Sequence, residues 1–437
     1  MLKVNAFDLG SAGDLPQATA DMISRRRKLL GPAYQLFYNQ PLHLVRGEGA
    51  WLYDASGKKY LDLYNNIPSV GHSHPEVVNA ISQQLRQLVT HTRYLHDGVL
   101  DYADQLLGTM SPELTNLMLT CTGSESNDLA LRIAKDYTGG TGVIVTRYAY
   151  HGMTSTLAAL SPSVGSYVPV DKDAKVIEPP ICHSVDPEKV GKLFAESIEL
   201  ALADMKLHGI KPAALLVDSL FTSDGVFPDP PGFLAPAVKL VREAGAVFIS
   251  DEVQPGFGRT GSHMWGFQRH GLSPDIVTMG KPMGNGFPMA GLAVRPNVLE
   301  QFGSNAGYFN TFGGNPAAAA AGMAVLKVLK DERLMENAKV VGDRIMSDLR
   351  TISSVYPTLG AVRGAGLYIG MEVLDSEGEP DGAKAKAIIN ALKDRGILLG
   401  VCGSKHHVLR VRPPLCLNIA EAEYFTEELD RVIRNIG

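Results

Sequence analysis

Residues 246–281 read AVFISDEVQPGFGRTGSHMWGFQRHGLSPDIVTMGK. The stretch holds two short apolar runs, each ending on a residue that a buried strand does not ordinarily carry. Val247, Phe248 and Ile249 follow one another without polar alternation, and the run stops at Asp251. A continuous apolar run of this length suits a strand covered on both faces, as in a parallel sheet. The second run, 275–279, is followed by Gly280 and Lys281. In open α/β sheets, ligands lie beyond the carboxyl ends of the strands, so Asp251 and Lys281 are candidates for one site. A carboxylate there could pair with a pyridinium nitrogen and keep it protonated, or it could cap a helix or join a surface ion pair. The lysine could lose its proton by desolvation and form a Schiff base, or it could reach from a loop to solvent.

Outward from this stretch, apolar runs at 117–122, 142–146 and 213–219 alternate with helical segments at 77–88, 97–107, 127–137 and 234–244. That rhythm predicts an α/β domain in the middle of the chain. Residues 155–190, with several Pro and Ser, read as irregular chain or an insertion. Ahead of the domain, 15–35 has helical composition, and 42–45, 50–53 and 60–63 read as short strands, the last two joined by a turn at Asp54-Ala55-Ser56-Gly57. Behind it come helices at 317–329 and 334–349, a strand near 367–373, a helix at 384–395, a strand near 408–411 and a helix at 421–433. The expected division is an N-terminal segment, 1–65, contributing to a small domain, a large domain, 66–320, and a C-terminal small α+β domain, 321–437.

Two further segments carry possible phosphate contacts. Thr120-Cys121-Thr122-Gly123-Ser124-Glu125-Ser126 lies where a strand gives way to a helix. The free N–H groups of a helix start suit a phosphate, although for this segment taken alone a plain strand-to-helix cap is the default reading. Tyr308 to Asn315, YFNTFGGN, gathers glycines with small polar donors.

Composition narrows the class. The 437 residues are 45% hydrophobic and 20% charged, with a formal net charge of −5. That charge gives no support to a nucleic-acid or membrane-surface partner, and the one basic run, Arg25-Arg26-Arg27-Lys28, is short. Cys121, Cys182, Cys402 and Cys416 form no CxxC pair, which fits a reducing, cytoplasmic compartment and argues against structural zinc or another metal. No stretch approaches the roughly 20 apolar residues of a membrane span.

Taken together, ISDEVQPGFGRTG and PDIVTMGKPMGNG, with Tyr60-Leu61-Asp62, Gly71-His72-Ser73-His74-Pro75, the NTFGGNP segment and Arg410-Val411-Arg412-Pro413-Pro414, resemble the class III aminotransferases. The likeness runs over essentially the whole chain. It implies the fold-type-I architecture of pyridoxal phosphate (PLP) enzymes: a large domain with a mixed central sheet flanked by helices, and a small α+β domain. It also implies roles for individual residues. Lys281 would carry the cofactor as a Schiff base and then move protons at the substrate carbon. Asp251 would pair with the ring nitrogen, supported by Asp218, and Gln254 would meet the ring's phenolic oxygen. Tyr150, followed by His151, would stack on one face of the ring and Val253 would lie under the other. Gly123 and Ser124 would hold the phosphate, helped by Thr311 from a neighbouring subunit, which implies a homodimer with shared active sites.

The substrate residues depart from the transaminase pattern. Ornithine- and 4-aminobutyrate-type members carry an arginine where this chain has Met153, and a switching glutamate where it has Ser223. Arg410 matches the carboxylate-binding arginine. With Arg93 and Arg412 it could instead surround a phosphate, and the TRYLHD segment, the GHSHP loop and the Lys281 region are most similar to the ethanolamine-phosphate and phosphohydroxylysine phospho-lyases. In that branch the position of Arg410 is usually lysine. The expectation is a phospho-lyase acting on an amine such as O-phosphoethanolamine or 5-phosphohydroxylysine, with a class III transaminase as the alternative.

Overall fold

A computed structural model describes residues 5–8, 10, 15–180 and 185–436; Cys182 lies outside them. Its centre is a seven-stranded sheet in the order Asn116–Thr120, Ala290–Val294, Ile276–Met279, Val247–Asp251, Pro212–Val217, Gly142–Thr146, Ala174–Ile177. Ala290–Val294 runs antiparallel to both its neighbours, while the pairs from Ile276–Met279 to the far edge are parallel. The sheet is therefore mixed, as the resemblance implied. Val247–Asp251 and Ile276–Met279 are buried at every residue, because helices cover both faces and leave no solvated side to reward polar alternation.

Several elements escaped the sequence reading. The strand Ala174–Ile177 and the start of the 21-residue helix Pro187–Leu207 fall in the segment read as irregular. The helix had local signals: Asp186 caps it, accepting a hydrogen bond from the Glu188 N–H, and Pro187 occupies its first turn. The Pro- and Ser-rich chain before it obscured them. Ala290–Val294 contains Ala290, Gly291 and Ala293, too small to read as a strand core. Gly291 is required there by proximity, since a Cβ would lie 2.7 Å from the Met118 carbonyl oxygen on the neighbouring strand. The helix Pro296–Asn305 and the strand Leu359–Ala365 were also unassigned.

Two smaller sheets flank the centre. Leu44–Glu48, Trp51–Asp54 and Lys59–Asp62 form an antiparallel set that Ile397–Leu398 extends, pairing in parallel with Leu61 and Asp62. The other is antiparallel, in the order Leu359–Ala365, Tyr368–Val373, Val408–Val411, Gly400–Cys402. The helix Pro316–Asp331 begins at Asn315, whose side chain accepts from the Ala318 N–H at 3.0 Å, and packs on Pro75–Gln87 and Asp97–Leu107. No helix among the described residues is long and apolar enough to cross a membrane.

Candidate active site

The strand ends bring the chemistry together. Lys281 stands two residues past Ile276–Met279 with φ 37°, a left-handed conformation that a side-chain-bearing residue adopts only when its surroundings enforce it. Gly280 before it lets the strand end approach the start of the helix Gly123–Thr138; a Cβ there would sit 3.3 Å from the Gly123 nitrogen. Burial, reinforced by Arg412 and Arg410, pulls the Lys281 ammonium from its ordinary 10.5 down to about 7, against the opposing pull of Asp251. A neutral amine is a nucleophile; an ammonium is not. Cofactor-free protein should therefore take up pyridoxal phosphate at a rate that rises with pH through about 7 and levels off above it. Borohydride trapping at a series of pH values checks this, and a midpoint above pH 9 would show that the amine is solvated.

Asp251, at the end of the adjacent strand, is buried and held from three directions. Its Oδ2 accepts from His151 Nδ1 at 2.7 Å and from Asn127 Nδ2 at 2.9 Å, and its Oδ1 accepts from the Val253 N–H at 3.1 Å. Asn127 also donates to the His151 carbonyl and accepts from Thr278 Oγ1, so one helical side chain ties together three elements around the acid. The sequence reading missed Asn127. Its signal was a polar residue on the inward face of a helix whose start had already been singled out.

That helix start is ordered by a reciprocal cap. The Thr122 hydroxyl accepts from the Glu125 N–H, and the Glu125 carboxylate accepts from the N–H groups of Cys121 and Thr122. Gly123 and Ser124 occupy the first turn, where N–H groups lack intrahelical partners. A Cβ on Gly123 would come 2.9 Å from Val253 Cγ2, and one on Gly152 would meet Ser124 Oγ at 2.7 Å. Backbone and Val253 thus form a close cradle suited to a small anionic group. The Ser124 hydroxyl accepts from the Met153 N–H at 3.1 Å.

A cavity of about 270 Å³ opens on Lys281, walled by Tyr150, Gln254, Ser223, Arg410, Arg412 and Tyr64 among others. Arg412 donates from Nη1 to Gln254 Oε1 at 2.8 Å and lies over the Tyr64 ring at 4.7 Å. The same oxygen of Gln254 accepts from Asn66 Nδ2. Arg410 and Arg412 are both buried, both leave Nε without a partner, and among the described residues no carboxylate pairs with either. Behind the cavity, Asp218 accepts from the N–H groups of Leu220 and Thr222 and from the Thr222 hydroxyl. Burial pushes its carboxyl up to about 6. The neighbouring Asp224, pushed by burial to about 7, holds Thr146 Oγ1 and the Tyr148 N–H, tying the Ser223 wall to the loop that carries Tyr150.

Of the anticipated residues, Gly123, Ser124, His151, Asp218, Asp251 and Val253 do not line this cavity, and neither do Met153, Arg93 and Thr311. The Met153 side chain is 68% exposed, Arg93 stacks on Phe309 at 4.0 Å, and Thr311 is exposed beside Phe312.

The residues present fit pyridoxal phosphate. They supply a desolvated lysine and an aromatic ring at Tyr150 in one cavity, a fixed carboxylate at Asp251 that acts on the lysine, and a helix start at Gly123 that closely approaches Gly280. The buried His151 Nε2 has no partner among the described residues.

Comparisons with known proteins identify the family. A family model described as aminotransferase class-III matches residues 35–433. The chain is 36% identical over 420 residues to a Drosophila melanogaster protein named alanine–glyoxylate aminotransferase 2-like, covering 93% of this chain and 85% of that one. It is 36% identical over 440 residues to ethanolamine-phosphate phospho-lyase homolog 1 of Caenorhabditis elegans, covering 94% and 93%. Among solved structures, a phospholyase from Arthrobacter in complex with phosphoethanolamine superposes with a TM-score of 0.92 at 40% identity, over 95% of this chain and 99% of that chain.

Proposed function

From the premise that the chain belongs to the class III aminotransferase family and uses pyridoxal phosphate, we propose that it is a phospho-lyase. It eliminates phosphate from a phosphorylated amine such as O-phosphoethanolamine or 5-phosphohydroxylysine. The observation that carries this reading is the pair Arg410 and Arg412, two buried guanidinium groups without a carboxylate partner in the cavity that holds Lys281. Buried charges are costly without a counter-ion, and a phosphate dianion supplies two charges and the oxygen geometry that guanidinium forks match. The likeness to the Arthrobacter phospholyase supports the same substrate class.

The bound cofactor supplies an electron sink for the charge left when the amine-bearing carbon gives up its proton. Lys281 Nζ would hold the cofactor and, once free, take that proton. Asp251, held by His151 and Asn127, would supply a fixed negative charge to the ring nitrogen. Tyr150 and Val253 would confine the ring, and Gly123 and Ser124 would receive the cofactor's phosphate. Arg410 and Arg412 draw the substrate's phosphate away from the β-carbon and stabilise it as the C–O bond breaks. With O-phosphoethanolamine and one water, the products are phosphate, acetaldehyde and ammonia.

Arg410→Met should lower kcat/KM for O-phosphoethanolamine by about 10- to 100-fold, the loss of one or two hydrogen bonds to a charged group. Inorganic phosphate should weaken as a competitive inhibitor in parallel. Unchanged inhibition by phosphate in the variant would remove Arg410 from the phosphate site. A second reading, transamination to a 2-oxo acid, is favoured by one observation: an arginine at 410 takes a carboxylate as readily as a phosphate. It predicts amino transfer from the holoenzyme to pyruvate or glyoxylate without phosphate release.

The same proposal includes a homodimer with shared sites. It is supported by the exposed Phe309, Phe312, Tyr94 and Leu95 around Thr311, a concentration of apolar surface suited to a partner. It also includes a cytoplasmic location, supported by the free thiols of Cys121, Cys402 and Cys416. The division at 65/66 and 320/321 is part of it, with residues before 65 joining the C-terminal strand Ile397–Leu398 in one sheet.

A further inference from the structure

Arg259, in the turn after Asp251, does not line the cavity, yet its side chain is 1% exposed. Its Nη1 donates to the carbonyls of Pro413 and, at 3.1 Å, Leu367, while Nη2 has no partner among the described residues. The Leu367 N–H donates back to the Arg259 carbonyl at 3.0 Å. The packing here is close, since a Cβ on Gly366 would lie 2.5 Å from the Arg259 oxygen. Burial draws the guanidinium down to about 9; Tyr368 and Cys416 oppose this, Arg412 adds to it, and among the described residues no carboxylate pairs with it. A buried cation held only by carbonyls is costly, and an apolar side chain of similar volume would often pack as well or better. The contacts suggest what the cation does. Arg412 is fixed on one side by its own N–H, which donates to the Leu63 carbonyl at 2.9 Å. On the other side, Pro413 has no N–H to offer, and its carbonyl is taken by Arg259.

We propose that Arg259 is a positioning residue for the anion site: it anchors the chain just after Arg412, aims that guanidinium into the cavity, and adds a third uncompensated positive charge behind Arg410 and Arg412. The inference rests on the reading of those two residues as the phosphate site.

The test compares wild-type holoenzyme with Arg259→Lys and Arg259→Met, using inorganic phosphate as the probe. The expected result is that Ki for phosphate and KM for O-phosphoethanolamine rise together, by about tenfold in Arg259→Met and less in Arg259→Lys. The visible absorbance and circular dichroism of the Lys281-bound cofactor should stay as in the wild type. A merely structural role would lower the folded fraction and leave Ki unchanged in what remains. If phosphate inhibits the wild type and both variants equally, Arg259 has no part in the anion site, while the phospho-lyase reading stands. If phosphate fails to inhibit even the wild type, that reading falls and the inference with it. Should neither variant fold, hydrogen exchange of the wild-type holoenzyme decides: phosphate should protect the amides of 366–368 and 410–412 together, and no change at 366–368 would overturn the proposal.

Discussion

Replacing Lys281 by alanine is expected to lower turnover by about four orders of magnitude or more, the range seen when a nucleophile that also serves as acid–base group is removed. Two functions go at once. On the proposed role of Lys281, the covalent attachment of the cofactor would be lost, and so would the base beside the reacting carbon. Pyridoxal phosphate should nevertheless still bind, because Gly123, Ser124, Asp251 and Tyr150 are untouched. A small external amine such as methylamine should restore part of the proton transfer, since the cavity left by the side chain opens on the substrate space. Purified Lys281→Ala with added cofactor, assayed with and without methylamine, measures both effects. Retention of more than a tenth of the wild-type rate without the amine would show that another group takes the proton.

The second large effect is expected at Asp251. Asp251→Asn keeps the size of the side chain but removes its charge and one of its acceptor oxygens, where His151 and Asn127 both donate to the same carboxylate oxygen. On the proposed pairing of Asp251 with the ring nitrogen, a neutral partner would no longer hold that nitrogen protonated and the electron sink would weaken. Turnover should fall by about two to three orders of magnitude, accompanied by a shift in the cofactor's absorbance and by weaker cofactor retention. If the variant stays within fivefold of wild type, the charge of Asp251 is not what the reaction uses.

The parts of this site that were legible in the sequence are those fixed by short-range order. Asp251 and Lys281 follow continuous apolar runs, so their place at the carboxyl ends of two strands could be read directly. Once both were placed, the helix start at Gly123 fitted as the third corner. The resemblance supplied the roles. The sequence left open whether Arg412 reaches the ligand beside Arg410. Alternation on a strand puts both on one face, and both wall the cavity. What was not legible depends on tertiary approach. Asn66 and Tyr64 come to the site from a segment far from Lys281 in the chain, and nothing local distinguishes them from other polar or aromatic residues; Asn127, one helical turn past Gly123, had only its polar character on an inward helix face as a signal. Arg259 lies in a glycine-rich turn that the sequence does not single out; its burial against Leu367 and Pro413 marks it. In the fold, Ala290–Val294 escaped for the reason it exists. Its small residues permit a close approach to the strand Asn116–Thr120, and small residues carry little strand signal.

The measurement that bears most directly on the function is phosphate release from O-phosphoethanolamine by pure holoenzyme with no 2-oxo acid present. A phospho-lyase regenerates its Lys281-bound cofactor in every cycle, so phosphate should accumulate to many equivalents per active site, matched by acetaldehyde, with the cofactor spectrum unchanged. Absence of phosphate, together with conversion of the cofactor to its amine form after one equivalent, would contradict elimination and identify the enzyme as a transaminase.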